Sequence, residues 1–358
     1  MDPFEQEPAP TIERRRFPRW PFALVGTALL TGAAVLALWP LKLPYYAMSP
    51  GPVEEVADLV SVSDVPVYTT NGDLFLLTVG LREVNIFEYL EAEVDPRVDL
   101  IGREVIRPAG VTQEEATRSN LEAMDQSIDA AVYVALTRLG YEVGFTGEGA
   151  SVTQVAEGTP AVGVLQVGDI ITHIEGRPVI TADDAGTIIR TFQIGDTINL
   201  SGTRAGEPLS VDITLVAHPD AEGVPMVGVV LDTVNLGLDI PIDLKIDSRN
   251  IGGPSAGMMY AITVLDLLTP EDLAKGHRIA GTGTIATDET VGAIGGVRQK
   301  VFAARSVGAE YVMVPTDNYD DALTAAGDGI EIVAVATLQD ALDFLDSLEP
   351  VGGVMAAS

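Results

Sequence analysis

Ser255 and Lys300 are the two residues of this chain whose types and settings best suit chemistry. Ser255 lies in Gly253-Pro254-Ser255-Ala256-Gly257, and Lys300 closes Ile294-Gly295-Gly296-Val297-Arg298-Gln299-Lys300. A serine hydroxyl is a weak nucleophile until a neighbouring base takes its proton. A lysine can be that base where apolar surroundings pull its pKa towards neutrality. Gly252 and Gly253 allow a sharp backbone turn, Pro254 pre-sets the φ of a helix start, and Ala256 and Gly257 keep the surroundings small. A serine there would face the unpaired N–H groups of a helix N-terminus, which suit the oxyanion of a tetrahedral intermediate. Each residue alone also has a plainer reading. Ser255 could simply cap a helix, and Lys300 could lay its stem along Val297, Val301 and Ala304 with its ammonium in water.

Bulk composition narrows the classes. The chain has 358 residues, 47% of them hydrophobic, with a formal charge of −31. That length suits about two domains. The acidic balance argues against a nucleic-acid partner, which needs a basic footprint, and reads more simply as a solubility device. Cysteine is absent, which removes disulfides, thiolate nucleophiles and cysteine metal sites together. His173, His218 and His277 are scattered without metal-ligand spacing, so neither metal nor cofactor is expected.

Residues 21–39 carry no charge, and Thr27 and Thr31 are their polar interruptions. Such a segment, at 1.5 Å per residue, approaches the ~20 residues that span a bilayer core. Arg14, Arg15, Arg16 and Arg19 precede it against Lys42 after it, with Trp20, Trp39, Tyr45 and Tyr46 placed as an aromatic belt. The expectation is a single-pass anchor over 20–41 in the cell membrane, with 1–19 cytoplasmic and the rest extracytoplasmic. A cleavable signal peptide would have a shorter apolar region and a small-x-small site, which Trp39-Pro40-Leu41-Lys42 does not supply. The flanking charge asymmetry argues against a buried core helix.

Beyond the anchor, 44–52 reads as a linker, and 60–67 and 73–79 as strands. Residues 113–139 read as a helix, with Met124, Ile128, Ala131, Val132, Ala135 and Leu136 at helical spacing and Gly140 as stop. From 144 to 220 the order is Ser151–Val155 strand, Gly158-Thr159-Pro160-Ala161 turn, Gly168-Asp169-Ile170-Ile171 strand, a hairpin, a helix over 182–192 and two closing strands at 196–202 and 209–215. This order resembles a bacterial PDZ domain. The resemblance implies binding of extended peptides at an exposed strand edge. Gly147, Glu148, Gly149 and Ala150 would hold the terminal carboxylate, and the groove would be walled by Ser151–Val155, including Val152, and the 182–192 helix. An inserted domain whose groove is filled by its own chain is the bland alternative.

Residues 227–349 alternate strands and helices, with strands at 227–231, 243–246, 279–285, 311–315 and 330–335. Helices are expected at 255–268, 297–307, 319–326 and 338–348, with a further one capped by Thr269 before Pro270; 350–358 reads as a tail. Three blocks of this region stand out in order: Gly253-Pro254-Ser255-Ala256-Gly257, then Ile279-Ala280-Gly281-Thr282-Gly283-Thr284, then Val291-Gly292-Ala293-Ile294-Gly295-Gly296-Val297 leading to Lys300 and Ala304. In order and spacing they resemble the proteolytic domain of Lon proteases. The resemblance implies Ser255 as nucleophile, Lys300 as general base, and Thr282, Gly253, Pro254 and Ala256 in support. Thr284 stands where many Lon enzymes carry Glu, which puts an accessory carboxylate in doubt.

No GxxxxGK[ST] loop occurs in the sequence. The whole is similar to the membrane-anchored PDZ–Lon-like proteases of bacteria. That implies an α+β fold, with an N-terminal transmembrane helix and a Lon-type α/β proteolytic domain (227–349) carrying an inserted, mainly-β PDZ domain. Residues 53–143 would be the front part of the protease unit, with Asn120, Met124 and Ser127 lining or supporting the site. The expected function is an ATP-independent serine endopeptidase acting on unfolded or flexible polypeptides outside the cytoplasm, with hexamers implied by the resemblance. The alternative is an anchored PDZ peptide-binding protein on an inactive Lon-like scaffold. An esterase or amidase fits less well, since no plausible histidine partner for the serine is present.

Overall fold

The computed structural model describes residues 20–219, 221–249 and 251–352. The chain divides into two compact units, one of residues 1–50 with 79–112 and one of 51–78 with 113–358. Two strands, Lys42–Glu55 and Asp73–Asn85, contribute to both.

In the smaller unit Trp20–Leu38 forms a helix of 19 residues. Among the described residues no helix is long and apolar enough to cross a membrane, so the fold does not support the expected span over 20–41. The expected cytoplasmic segment 1–19 lies outside the described residues. The linker expected over 44–52 is instead part of the strand Lys42–Glu55, which pairs antiparallel with Asp99–Gly102 in the register Tyr45↔Gly102 to Met48↔Asp99. The turn-forming prolines suggested a linker, yet Tyr46, Ala47 and Met48 between them are buried. Apolar burial overrides local turn preference here. Glu83 draws the unit together, meeting Arg103 Nε at 3.3 Å, Arg107 Nη2 at 3.3 Å and the Tyr46 hydroxyl at 3.2 Å.

In the larger unit, parallel strands run Glu331–Val335, Tyr311–Pro315, Arg278–Gly281 and Asp73–Asn85 in that spatial order. Val312, Met313 and Val314 are wholly buried, the continuous apolar run of a strand covered on both faces. Helices Val297–Ser306 and Tyr319–Ala326 make the crossovers that parallel pairing requires, and Leu338–Ser347 follows the last strand. Helix Gly257–Leu268 packs on the long helix Gln113–Arg138, sharing a core with Met124, Ala131, Ala135, Met258 and Ile262. A second sheet is antiparallel, ordered Glu207–Thr214, Thr197–Arg204, Ile170–Ile174, Ala150–Val155 and Val229–Thr233. Helix Ala182–Ile189 closes a separate core with Val152, Ile171, Leu200 and Ile213. The fold is α+β, as the sequence suggests.

Three local readings are corrected. The strand expected over 60–67 is confined to Val60–Val62. The strand expected over 279–285 breaks into Arg278–Gly281 and Thr284–Ile285. No helix follows Thr269. That residue is the C-cap of the preceding helix, its hydroxyl donating to Leu265 O at 2.8 Å. The buried Asp266 carboxylate then takes the Leu273 N–H at 2.8 Å and folds the segment back as turns.

Candidate active site

The serine sits in the turn before its helix rather than in the helix itself. Helix Gly257–Leu268 has Ala256 as N-cap, without a side-chain cap bond, so Ser255 keeps its hydroxyl for other work. Gly253 at φ +87 makes the turn, a conformation that glycine takes at little cost. The long helix Gln113–Arg138 holds this turn from one side: Gly253 N–H donates to Asn120 O and Ser127 Oγ donates to Pro254 O, both at 2.8 Å. The break between the two short strands holds it from the other. Ser255 O accepts from Gly283 N–H at 2.9 Å and from Thr282 Oγ1 at 3.0 Å. A Cβ on Gly257 would run into Ser127 Oγ and come within 2.8 Å of Ile285 Cγ2.

Lys300 arrives on helix Val297–Ser306, which Gly296 opens from the left-handed region at φ 69. Its Nζ lies 2.7 Å from Ser255 Oγ and donates to Thr282 Oγ1 at 2.8 Å. The side chain is 2% exposed. Burial alone lowers its pKa to about 7, because the ammonium loses its hydration without gaining a counter-charge. Thr282 spends its proton on Ser255 O and so can only accept from the lysine. A neutral Lys300 thus directs an N–H at Thr282 and leaves its lone pair for the serine hydroxyl.

Of the other residues singled out, Met124 is fully buried core. Thr284 Oγ1 accepts the Gly292 N–H at 3.1 Å and ties a short hairpin. Asn318 was not visible to sequence reasoning. Its side-chain amide accepts the Ile294 N–H at 2.8 Å and donates to Ile294 O at 3.0 Å, fixing the turn that leads into the lysine helix. A lone Asn after a strand carries no signal of that role.

Residues 239–345 match the family model of the Lon protease (S16) C-terminal proteolytic domain, and residues 129–215 match that of the PDZ domain. The chain carries a Lon-type proteolytic domain and a PDZ domain. It is 26% identical over 233 residues to Lon protease 2 of Bacillus subtilis, covering 52% of this chain and 42% of the relative. It is 31% identical over 180 residues to Lon protease 1 of Sorangium cellulosum, covering 49% and 20%. The chain thus spans less than half the length of these relatives. Among solved structures, the PDZ domain of the SdrC-like protein of Listeria monocytogenes is 31% identical, covering 24% of this chain and 90% of that one, with a TM-score of 0.23. Its counterpart from Listeria innocua is 30% identical, covering 23% and 92%, with a TM-score of 0.22.

The residues expected from sequence to form the PDZ carboxylate loop are engaged within the domain itself. Glu148 N–H donates to Val234 O at 2.8 Å and Gly149 N–H to Ile180 O at 3.1 Å. Gly147 is hemmed in by Ile180 O and Thr233, Ala150 and Val152 are buried, and amides so engaged cannot hold a carboxylate. Ala150–Val155 is also not an edge, since Val229–Thr233 pairs with it antiparallel and ends the sheet. A cavity of about 900 Å³ lies instead between that last strand and the Ala182–Ile189 helix, lined among others by Ala182, Gly186, Ile189, Val229 and Leu231. The turn before the strand contains Gly228 at φ +95, where a Cβ would strike Thr159. The run Met226-Val227-Gly228-Val229-Val230, a glycine between apolar residues at a strand start, was the signal to follow. A strand was expected at 227–231 as part of the proteolytic domain, whereas Val229–Thr233 pairs with Ala150–Val155 and belongs to the PDZ sheet.

Proposed function

We propose that this protein is a serine endopeptidase in which Ser255 attacks the peptide carbonyl and Lys300 is general base and then general acid. The observation that carries the reading is the 2.7 Å approach of Lys300 Nζ to Ser255 Oγ at a lysine buried without a counter-charge. Neutral Lys300 takes the Oγ proton as the Oγ–C bond forms, and then delivers that proton to the leaving amine nitrogen as the C–N bond breaks. Water next attacks the acyl-enzyme while Lys300 accepts its proton, and the serine is regenerated by return of that proton to Oγ. The cavity beside Val229–Thr233 would take an extended substrate segment as an added strand.

The same reading makes the substrates unfolded or flexible polypeptides and the cleavage independent of ATP, since the sequence has no P-loop. The uncharged segment 21–39 with arginines before it supports attachment to the cell membrane with the folded part outside the cytoplasm. The test incubates residues 43–358 with a reduced, unfolded protein and no nucleotide, and compares the fragments by mass spectrometry with those from Ser255→Ala. Fragments from the first and none from the second are expected. Equal fragment patterns would end the dyad reading. Fractionation of cells expressing the full chain and a chain starting at residue 43 checks attachment, which fails if both are equally soluble.

A further inference from the structure

Three peptide planes around the nucleophile are held by their carbonyl or amide groups, and the holding has a direction. The Gly253 N–H is fixed by Asn120 O at 2.8 Å. The Pro254 carbonyl accepts from Ser127 Oγ at 2.8 Å, and the Ser255 carbonyl accepts from Thr282 Oγ1 at 3.0 Å and from the Gly283 N–H at 2.9 Å. All peptide bonds described are trans, and in a trans peptide the N–H points opposite to the C=O of the same plane. Pinning the Pro254 oxygen against the long helix therefore turns the Ser255 N–H away from that helix. Pinning the Ser255 oxygen against the strand break turns the Ala256 N–H away from Thr282. Among the described residues neither of these two amides donates to a backbone carbonyl. They flank the carbon that carries the nucleophilic Oγ, where a carbonyl under attack develops negative charge.

The strand break holds the Ser255 plane twice, through a backbone amide and a hydroxyl. The Pro254 plane has one hold, Ser127, which is 5% exposed and wedged against Gly257 so closely that a Cβ there has no room. A buried serine hydroxyl whose bond goes to a loop carbonyl 127 positions away, rather than back into its own helix, is not explained by helix formation.

We infer that Ser127 is a positioning residue for the oxyanion. Its hydroxyl fixes the Pro254 carbonyl and thereby aims the Ser255 N–H at the developing charge, without touching substrate. The inference rests on the endopeptidase reading. A hydroxyl acting this way affects the transition state and leaves ground-state binding and the Lys300 proton untouched.

The test uses the full chain and its Ser127→Ala and Ser127→Cys variants with a short fluorogenic peptide and a peptide boronate, whose tetrahedral adduct with serine carries the oxyanion. Ser127→Ala should lower kcat on the order of 10- to 100-fold, the scale of a misdirected donor. KM should stay within about twofold, boronate affinity should fall in parallel with kcat, and the acid limb of the pH profile should not move. Ser127→Cys, nearly isosteric with a weak S–H donor, should fall between wild type and alanine, and it serves as the measured variant if alanine does not fold. An unchanged kcat, a loss carried by KM, or a displaced acid limb overturns the inference while leaving the dyad in place. Absence of Ser255-dependent cleavage in the wild type removes the endopeptidase reading and this inference with it.

Discussion

Lys300 and Asp169 are each withdrawn from solvent, at 2% and 1% exposed, yet only one of them has a counter-charge. In the PDZ domain Asp169 accepts from Arg204 Nε and Nη2, each at 2.7 Å, and from the Gln166 N–H at 2.8 Å. Those bonds, led by the guanidinium, hold its carboxyl below the usual range. In the Lon-type domain Lys300 has two hydroxyls and no carboxylate, and burial pulls it the other way, towards neutrality. The two sites show what burial does under different partnerships. Paired, it locks a charge into the fold; unpaired, it converts a charge into a reagent.

The difference can be broken in several places. Lys300→Met should cut turnover by at least about 10³-fold, the scale of losing the general base, while raising stability. The sign follows from linkage: the lysine is protonated below about 10 when unfolded but only below about 7 when folded, so it destabilises increasingly as pH falls through that window. Removing it should gain roughly 2–4 kcal/mol near pH 7, after its lost hydrogen bonds are set against the gain. Denaturant melts would show it, and a less stable Met variant would undo the comparison.

Asp169→Ala should act in reverse, costing the PDZ domain about 2–3 kcal/mol with no loss of Ser255 reactivity towards a small active-site probe. Arg204 is 35% exposed, so the cost falls below that of a wholly buried pair. For Asp169 the stability is present above the ordinary carboxylate range and is lost as pH drops through it. Between them lies the pH profile, where kcat/KM should fall about tenfold per unit below pH 7 as Lys300 is protonated. A limb near pH 5 would assign it to another group. Thr282→Val, which keeps shape and removes the acceptor for Lys300, should have the smallest effect, about tenfold in kcat.

Legibility followed the range of the interactions. The serine and lysine blocks were readable because each motif is local: a glycine turn, a proline and a helix start are written within a few residues. The helix Gln113–Arg138 was readable from its spacing almost to its ends. What failed depended on partners distant in sequence. The Tyr46–Met48 strand forms because Asp99–Gly102 covers it, and the Thr269 helix is lost because Asp266 captures the Leu273 amide. The pairing of Val229–Thr233 with Ala150–Val155 was missed because the two are separated in sequence by the whole of the PDZ sheet and helix. Asn318 acts through two hydrogen bonds to Ile294, which leave no periodicity to detect.

The span of the Ser127–Pro254 bond, 127 positions, has a consequence for the life of the molecule. A growing chain emerges from its N-terminus, so the long helix appears first, the PDZ domain next, the serine turn after it and the lysine later still. Until helix Val297–Ser306 has emerged and docked, Ser255 lacks the Lys300 amine that lies 2.7 Å from its hydroxyl in the folded chain. On the proposed mechanism, a half-made chain would be inert towards the unfolded polypeptide around it, itself included. The lysine helix packs on Val312, Val314 and Ile332 of strands that emerge after it, so on the proposed mechanism the order of synthesis would act as a safety catch, released only as the fold is completed.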